Sequence, residues 1–451
     1  MKVLLVNPGS ISVYSLCGLS PPPMGLLSIA ASMEQAGHQV RVRDMDFRES
    51  APTRGDFAWA DVVGITSDTT RIAKAARIAA AAARAGKRVV VGGPHAQFEP
   101  DALLESGDVS FIVRGEGDTI MPRLAKTLEA GGDPSTVPGI IFRRDGRSVA
   151  TAPAPPVDVE ALPFPARHLV DLRLYRATMA GRPSTPVVTS RGCPGGCVFC
   201  SATSFFGRNW RARSADSVLA ELDEVCNRHG FGGVFFTDDN FTLAPKRVIA
   251  IAEGILAGGY DLKWWNFSRI DTILSNPDMV EAMAAGGCYM VSLGIESARG
   301  ETVSRLGKNI DAGDAARAIH ALRSRGIEVY GSYILGAPDE TKDDVLRTIE
   351  LAVRLNTDIA QFTILTPYPG TASYDELGNR IFTRRWKRYD GLHLVFRHPK
   401  IRRHRLQQLL LKAYLDFYRR SRASAEGARK AFRRTQLSPA RIAAAAFDFF
   451  L

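Results

Sequence analysis

The stretch SRGCPGGCVFCSATSFFG (190–207) sets Cys193, Cys197 and Cys200 within eight residues. Three thiolates so close together are a metal-ligand set. A structural zinc site calls for a fourth Cys or His at matching spacing. The nearest histidines, His168 and His229, belong to no such pair, and Cys226 and Cys288 stand alone in helix- and strand-like patterns, where a buried free Cys is common. Three ligands on one loop suit a cubane [4Fe–4S] cluster with one iron left open to a substrate or cofactor. Gly195 and Gly196 let the loop wrap a bulky inorganic core. A zinc knuckle or an accidental grouping is the competing reading.

These cysteines sit in a chain of 451 residues, 45% apolar and 23% charged. That composition predicts two or three domains of ordinary globular type. Apolar runs stay short of the ~18 residues a membrane span needs. The opening MKVLLVNPGS reads as a buried strand rather than a signal peptide. The expected compartment is the cytoplasm, where clustered Cys point to metal rather than disulfides. The net charge of +11 is concentrated at one end: residues 384–451 hold 18 Lys/Arg against 4 Asp/Glu.

Strand- and helix-like patterns alternate over residues 1–135. Apolar runs at 3–8, 40–46, 62–67, 88–94 and 111–116 are separated by amphipathic stretches such as 24–37 and 71–86, each ending in Gly. This is the pattern of a doubly wound, Rossmann-like α/β domain that binds its ligand at the carboxyl ends of parallel strands. Residues 136–180 are Pro-rich and read as a linker. Residues 181–375 hold six further strand candidates (186–192, 233–240, 264–271, 289–297, 328–338 and 359–370), with helices between them. Asn276-Pro277 and Thr341 mark two helix starts. Six βα units in under 200 residues predict a partial (β/α)6 TIM-like barrel with its site at the strand carboxyl ends. Residues 376–451 form a basic, helical C-terminal region.

The C-x3-C-x2-C motif after the first barrel strand, with Phe199 before the third Cys, resembles the signature of radical S-adenosylmethionine (SAM) enzymes. The motifs FFTDDNFT (235–242), SRID (268–271), GIESA (294–298), ILGAPDET (334–341) and TPYPGT (366–371) resemble the branch with an N-terminal cobalamin-binding domain, as do VGGPHA (91–96) and VRGEGD (113–118). The resemblance covers roughly residues 1–375. It implies that the open iron is chelated by SAM, that one-electron reduction releases a 5′-deoxyadenosyl radical, and that an external reductant of flavodoxin or ferredoxin type supplies the electron. It also implies SAM contacts from Phe199, Asp238, Asp239, Arg269 and Glu296; Ser268 lies beside Arg269. The competing reading for each acid is a helix cap or solvated loop, and for Arg269 a structural ion pair.

Cobalamin, on this resemblance, is held by strand-end loops carrying Thr66, Ser67, Thr69, Gly92, Gly93, His95, Gly115, Glu116 and Gly117. The first βα loop, NPGSISVYSLCGLSPPPMG, lacks the D-x-H-x-x-G motif that supplies a cobalt ligand, so cobalamin binds without that His or the domain is an empty scaffold. For Thr66, Ser67 and Thr69 the competing role is helix capping.

The implied activity is C-methylation of an unactivated carbon, with methylcobalamin delivering the methyl group. One alternative is an oxidative cyclase resembling the anaerobic Mg-protoporphyrin monomethyl ester cyclase, whose flavour is seen in DGLHLVFRHPKI (390–401). The other is a non-catalytic iron–sulfur electron-transfer protein. The substrate class is a small molecule or a lipid-like one, and no nucleic-acid partner is expected. The basic segment 400–434 reads first as a helix closing the barrel, Leu and Tyr inward. Peripheral membrane contact through it and through Phe447, Phe449 and Phe450 is the second expectation.

Overall fold

The computed structural model describes residues 1–9 and 20–420. It divides into two compact units that meet in sequence between Tyr175 and Arg176. The basic tail 421–451 and most of the first βα loop lie outside the described residues.

In the first unit, β1 (Lys2–Asn7), β2 (Gln39–Asp44), β3 (Val62–Thr66), β4 (Arg88–Gly92) and β5 (Phe111–Val113) are parallel, in the order β2-β1-β3-β4-β5. Their apolar side chains are buried: Leu4, Val63, Val90 and Ile112 are almost wholly out of solvent. Helices cross between them, including Met24–Gln35 and Ile72–Arg84, and a further helix, Gly117–Glu129, follows β5. The chain leaves the first two of these through Gly37 (φ +85) and Gly86 (φ +72), left-handed positions that favour glycine.

The sheet continues past residue 135. Strands β6 (Ile140–Arg144) and β7 (Arg147–Ala150) add an antiparallel hairpin to β5. Its two-residue turn, Asp145-Gly146, has φ of +51 and +77, the mirror-image turn that Asp-Gly favours. Residues 140–150 are thus part of the first sheet rather than a linker, and the unit runs on to Tyr175, whose hydroxyl donates to the buried Asp44 (2.8 Å).

In the second unit β8 (Thr178–Met179) turns through Ala180-Gly181 into β9 (Arg182–Val187). Five more strands follow: β12 (Gly233–Phe236), β13 (Lys263–Ser268), β14 (Cys288–Glu296), β15 (Glu328–Leu335) and β16 (Ile359–Ile364). The short β10 (Ser190–Arg191) and β11 (Arg211–Ala212) form a separate ribbon. The six strands β9, β12, β13, β14, β15 and β16 lie side by side in chain order and all parallel, as successive βα units require. Phe236, Phe241 and Trp264 pack together in the core, the first two stacked at 4.5 Å. The helix Lys342–Leu355 starts with a capping box between Thr341 and Asp344. Asn276 stands at the N-cap of Pro277–Ala285, but its amide donates to Thr272 O (2.8 Å) and so closes the preceding helix instead.

Among the described residues β16 stands at the edge of its sheet, and the helix Arg403–Arg420 covers it. Tyr414 and Tyr418, four residues apart, each take a backbone N–H and give a hydroxyl proton back to the same residue. Tyr414 serves Phe362 (3.2 and 3.0 Å) and Tyr418 serves Ala360 (3.3 and 3.0 Å). With Leu406, Leu410 and Phe417 buried beneath, the helix seals an edge that would otherwise template aggregation.

Candidate active site

The ribbon pairing Ser190 with Ala212 and Arg191 with Arg211 closes the base of the three-cysteine loop. Within the loop Cys200 N donates to Cys197 O (3.2 Å). Two distant segments grip it: Val198 N donates to Leu306 O (3.3 Å), and Ser373 N, just past the TPYPGT stretch, donates to Val198 O (3.0 Å). Gly307 (φ +85) packs so close that a Cβ there would press into Gly196 O and reach within 3.1 Å of Cys197 Cα.

The loop surrounds a space kept free of side chain. A Cβ on Gly195 would lie 3.3 Å from Cys193 Sγ, 4.0 Å from Cys197 Sγ and 3.6 Å from Arg269 Nη1. Burial pushes the thiols of Cys193 and Cys197 up from their usual value; the Gly195 backbone opposes this at Cys193 and Lys308 at Cys197, Arg269 does so more weakly at both, and Asp239 and Glu296 add to the rise at Cys193 and Cys197 respectively. Two cations beside a thiol set offset the charge that metal binding creates. A soft donor set, a cradle that a Cβ would fill and flanking cations fit a thiolate-held cluster.

Glu296 ends β14 with φ +66, a left-handed conformation that costs a non-glycine residue roughly 1–2 kcal/mol. A register slip after Gly294 accompanies it. The buried Glu296 carboxylate pairs with Lys308, whose ammonium also donates to Gly294 O (3.0 Å). Arg269 is held by Asp271 through Nη2 (2.9 Å) and Nε (3.1 Å). Asp239 accepts from the Gly192 backbone; burial and neighbouring Asp238 raise its carboxyl to about 6. Phe199 is half-buried in the loop itself, and Ser268 donates to Asn266 (2.6 Å). Asn240 Nδ2, next along from Asp239, is buried with no partner among the described residues.

Asp238 corrects the sequence expectation. It is fully buried, with its oxygens committed to Thr189 N (2.6 Å), the Thr189 hydroxyl and the Ser190 hydroxyl (2.8 Å). It ties the end of β12 to the approach to β10 and has no face to offer a cofactor. Glu340, in the ILGAPDET motif, is likewise a staple: it accepts from Ser297, Gly336 N and Ala337 N across the ends of β14 and β15, and burial raises it to about 7.

In the first unit, Thr66 and Gly92 are paired neighbours at the ends of β3 and β4, and both are half-buried. Ser67 N donates to Gly92 O (2.8 Å). Gly93 (φ +105) lies against the Ser67 backbone, with no room for a Cβ. Gly115 (φ +118) has only Ile120 within 4 Å of such an atom. Gln97 Oε1, on the short helix after Gly93, is buried without a partner among the described residues. These strand ends, glycine-lined and with one orphaned acceptor, fit a large ligand at the position the doubly wound topology favours. Two of the expected contacts also have structural roles. Glu116 accepts from Val157 N (3.2 Å), and a Cβ on Gly117 would lie 2.6 Å from Ile29, so its bareness lets two helices approach.

Comparison with known proteins agrees with both halves. The Radical SAM superfamily model matches residues 187–352, and the B12 binding domain model residues 16–125. An uncharacterized methyltransferase, PH0819, of Pyrococcus horikoshii is 35% identical over 432 residues, 93% of this chain and 93% of that protein. The chain belongs to the cobalamin-binding radical SAM family. The family's cofactors are a [4Fe–4S] cluster, SAM and cobalamin. Other relatives are the bacteriochlorophyllide d C-12(1)-methyltransferase of Chlorobaculum tepidum (27% identical, 93% of this chain and 88% of that protein) and an anaerobic magnesium-protoporphyrin IX monomethyl ester cyclase of Rubrivivax gelatinosus (28%, 93% and 77%). The radical SAM methyltransferase TsrM of Kitasatospora setae, solved with cobalamin and a [4Fe–4S] cluster, shares the fold: TM-score 0.71 at 23% identity, over 84% of this chain and 78% of that one.

Two features of this radical SAM chain escaped the sequence. Lys308 is separated from the cysteines by more than a hundred residues, and only its Gly-Lys context hinted at a turn. In the first unit Asn7 donates to Asp44 (2.8 Å) and accepts from Arg71 (2.8 Å), a buried polar chain behind the strand ends. His95 is also buried, Nδ1 bonded to Thr69 Oγ1 (3.3 Å), and burial lowers it to about 4. It is therefore neutral in the fold, and the unfolded chain takes up the proton first as pH falls below 6.5. Stability present at pH 7 is lost between about 6.5 and 4, by up to ~3 kcal/mol. Thermal melts at pH 7 and pH 5 should show this drop, and His95→Gln should flatten it. Equal pH dependence in both proteins would contradict the assignment. Among the described residues, no helix is long and apolar enough to cross a membrane.

Proposed function

We propose that the chain is a cobalamin-dependent C-methyltransferase that acts on an unactivated carbon of a small or lipid-like molecule, using an external one-electron donor of flavodoxin or ferredoxin type. The observation that carries this reading is the side-chain-free cradle at Gly195, bordered by the sulfurs of Cys193 and Cys197 and by Arg269, with Lys308 acting on Cys197, in a chain that also has a cobalamin-type domain. Cys193, Cys197 and Cys200 hold the cluster. Asp239, with Asn240 beside it, suits the amine and carboxylate of SAM; Glu296, with acceptor oxygens, suits its ribose hydroxyls. Arg269, kept in place by Asp271, offers a cation beside the loop, and Phe199 an apolar wall. Thr66, Gly92, Gly93 and Gly115 line the cobalamin seat, with the buried Ser67 and Thr69 behind them. When bound, the cofactors supply reductive cleavage of SAM and a methyl carrier; the protein supplies binding, orientation and exclusion of water.

Methylase and cyclase readings differ in their by-products. Anaerobically reconstituted protein, given SAM, a reductant and substrate-containing extract, should form both 5′-deoxyadenosine and S-adenosylhomocysteine. 5′-Deoxyadenosine without S-adenosylhomocysteine supports the cyclase instead. Formation of neither product would overturn the radical chemistry altogether.

A further inference from the structure

Alternate residues of β12 to β16 point to opposite faces of the sheet. One face holds the fully buried Phe236, Trp264 and Phe362. The other, only partly buried, holds an aromatic group. Trp265 is its centre, with ring centroids 5.4 Å from Phe235, 5.6 Å from Phe267 and 5.5 Å from Tyr330. Phe267 is 42% exposed, unusual for a large apolar side chain in the middle of a sheet. The polar tips of the group are already engaged. Trp265 Nε1 donates to Ser292 Oγ (2.8 Å) and the Tyr330 hydroxyl to Gln361 Oε1 (3.0 Å). These bonds fix the rings and leave ring faces and edges as the surface on offer.

The register leads from this group to the cluster loop. Phe267 pairs with Ser292, and Ser292 with Tyr330. Two residues further along β14 is Gly294, against which the Lys308–Glu296 pair packs, next to Cys197. The aromatic face is thus continuous with the flank of the cluster, and its four rings carry no charge.

We infer that this face seats the substrate and takes a flat, conjugated ring system. The inference rests on the radical chemistry proposed above and names its substrate class. Fixed aromatic rings reward an aromatic partner in offset or edge-on contact beyond the burial they give any apolar molecule. A saturated polycycle gains burial alone.

The test is anaerobic binding to the reconstituted full chain of two uncharged probes, pyrenemethanol (flat) and adamantanemethanol (saturated). Pyrenemethanol should bind at least several-fold more tightly, and Trp265→Leu and Phe267→Leu should each weaken it about tenfold while iron content stays at the wild-type level. The partly exposed Phe267 guards against misfolding, and Trp265→Phe should retain most of the affinity. Equal affinity for the two probes, or undiminished pyrenemethanol binding in both leucine variants, overturns the inference. If SAM is still cleaved and S-adenosylhomocysteine formed in that case, the proposed function survives without it.

Discussion

Cys197→Ala abolishes the brown chromophore of the reconstituted protein and, with it, all 5′-deoxyadenosine. The other two cysteines cannot compensate, because a cubane held at two corners loses an iron or detaches. Among the described residues the remaining cysteines are remote in role: Cys226 and Cys288 are free thiols, the first raised by burial to about 11 and the second buried in the sheet beside Asn266. Iron and sulfide analysis together with product chromatography measures the effect. The fold should survive, since the loop is anchored by the Val198 backbone, bonded to Leu306 and Ser373, and by the β10–β11 ribbon rather than by the cysteine side chains. Full iron content in Cys197→Ala would remove the basis of the site.

The second large effect is expected far from the cysteines in sequence. Gly307→Ala puts a methyl group into the Gly196 carbonyl and also imposes a left-handed backbone on alanine. The backbone penalty alone is roughly 1–2 kcal/mol; the clash must push the cluster loop. Gly326 separates the two effects, because it has φ +76 but nothing within 4 Å of where its Cβ would stand. Gly326→Ala should lower stability by roughly 1–2 kcal/mol and leave iron binding intact. Gly307→Ala should lose most of its iron at a comparable melting temperature. Equal iron content in the two variants would show that Leu306–Lys308 does not shape the loop.

The legible parts of this protein are those set by neighbours in the chain. The cysteine spacing, the Thr341 capping box, the glycines that end two helices and the apolar runs of the parallel strands all act within a few residues, so they can be read locally. The Asp145-Gly146 hairpin is equally local, but the prolines around it dominate the pattern, so residues 136–150 read as a linker. Other assignments needed partners supplied only by folding. Asp238 and Asp239 are adjacent and alike in sequence, yet Thr189 and Ser190 consume the first while the second remains beside Gly192 and Cys193. Glu116 and Gly117 sit in a strand-end motif, but Val157 and Ile29 decide that they brace and pack.

By itself, then, the order of residues determined the type of metal site, the two α/β repeats and the helix boundaries, because thiolate spacing and backbone preference are short-range. Tertiary structure alone decided which acids stay available, that Lys308 accompanies Glu296 beside Cys197, and that Tyr414 and Tyr418 close an open strand. Each of these depends on two groups far apart in the chain meeting within hydrogen-bond distance, and one-dimensional spacing carries no record of such a meeting.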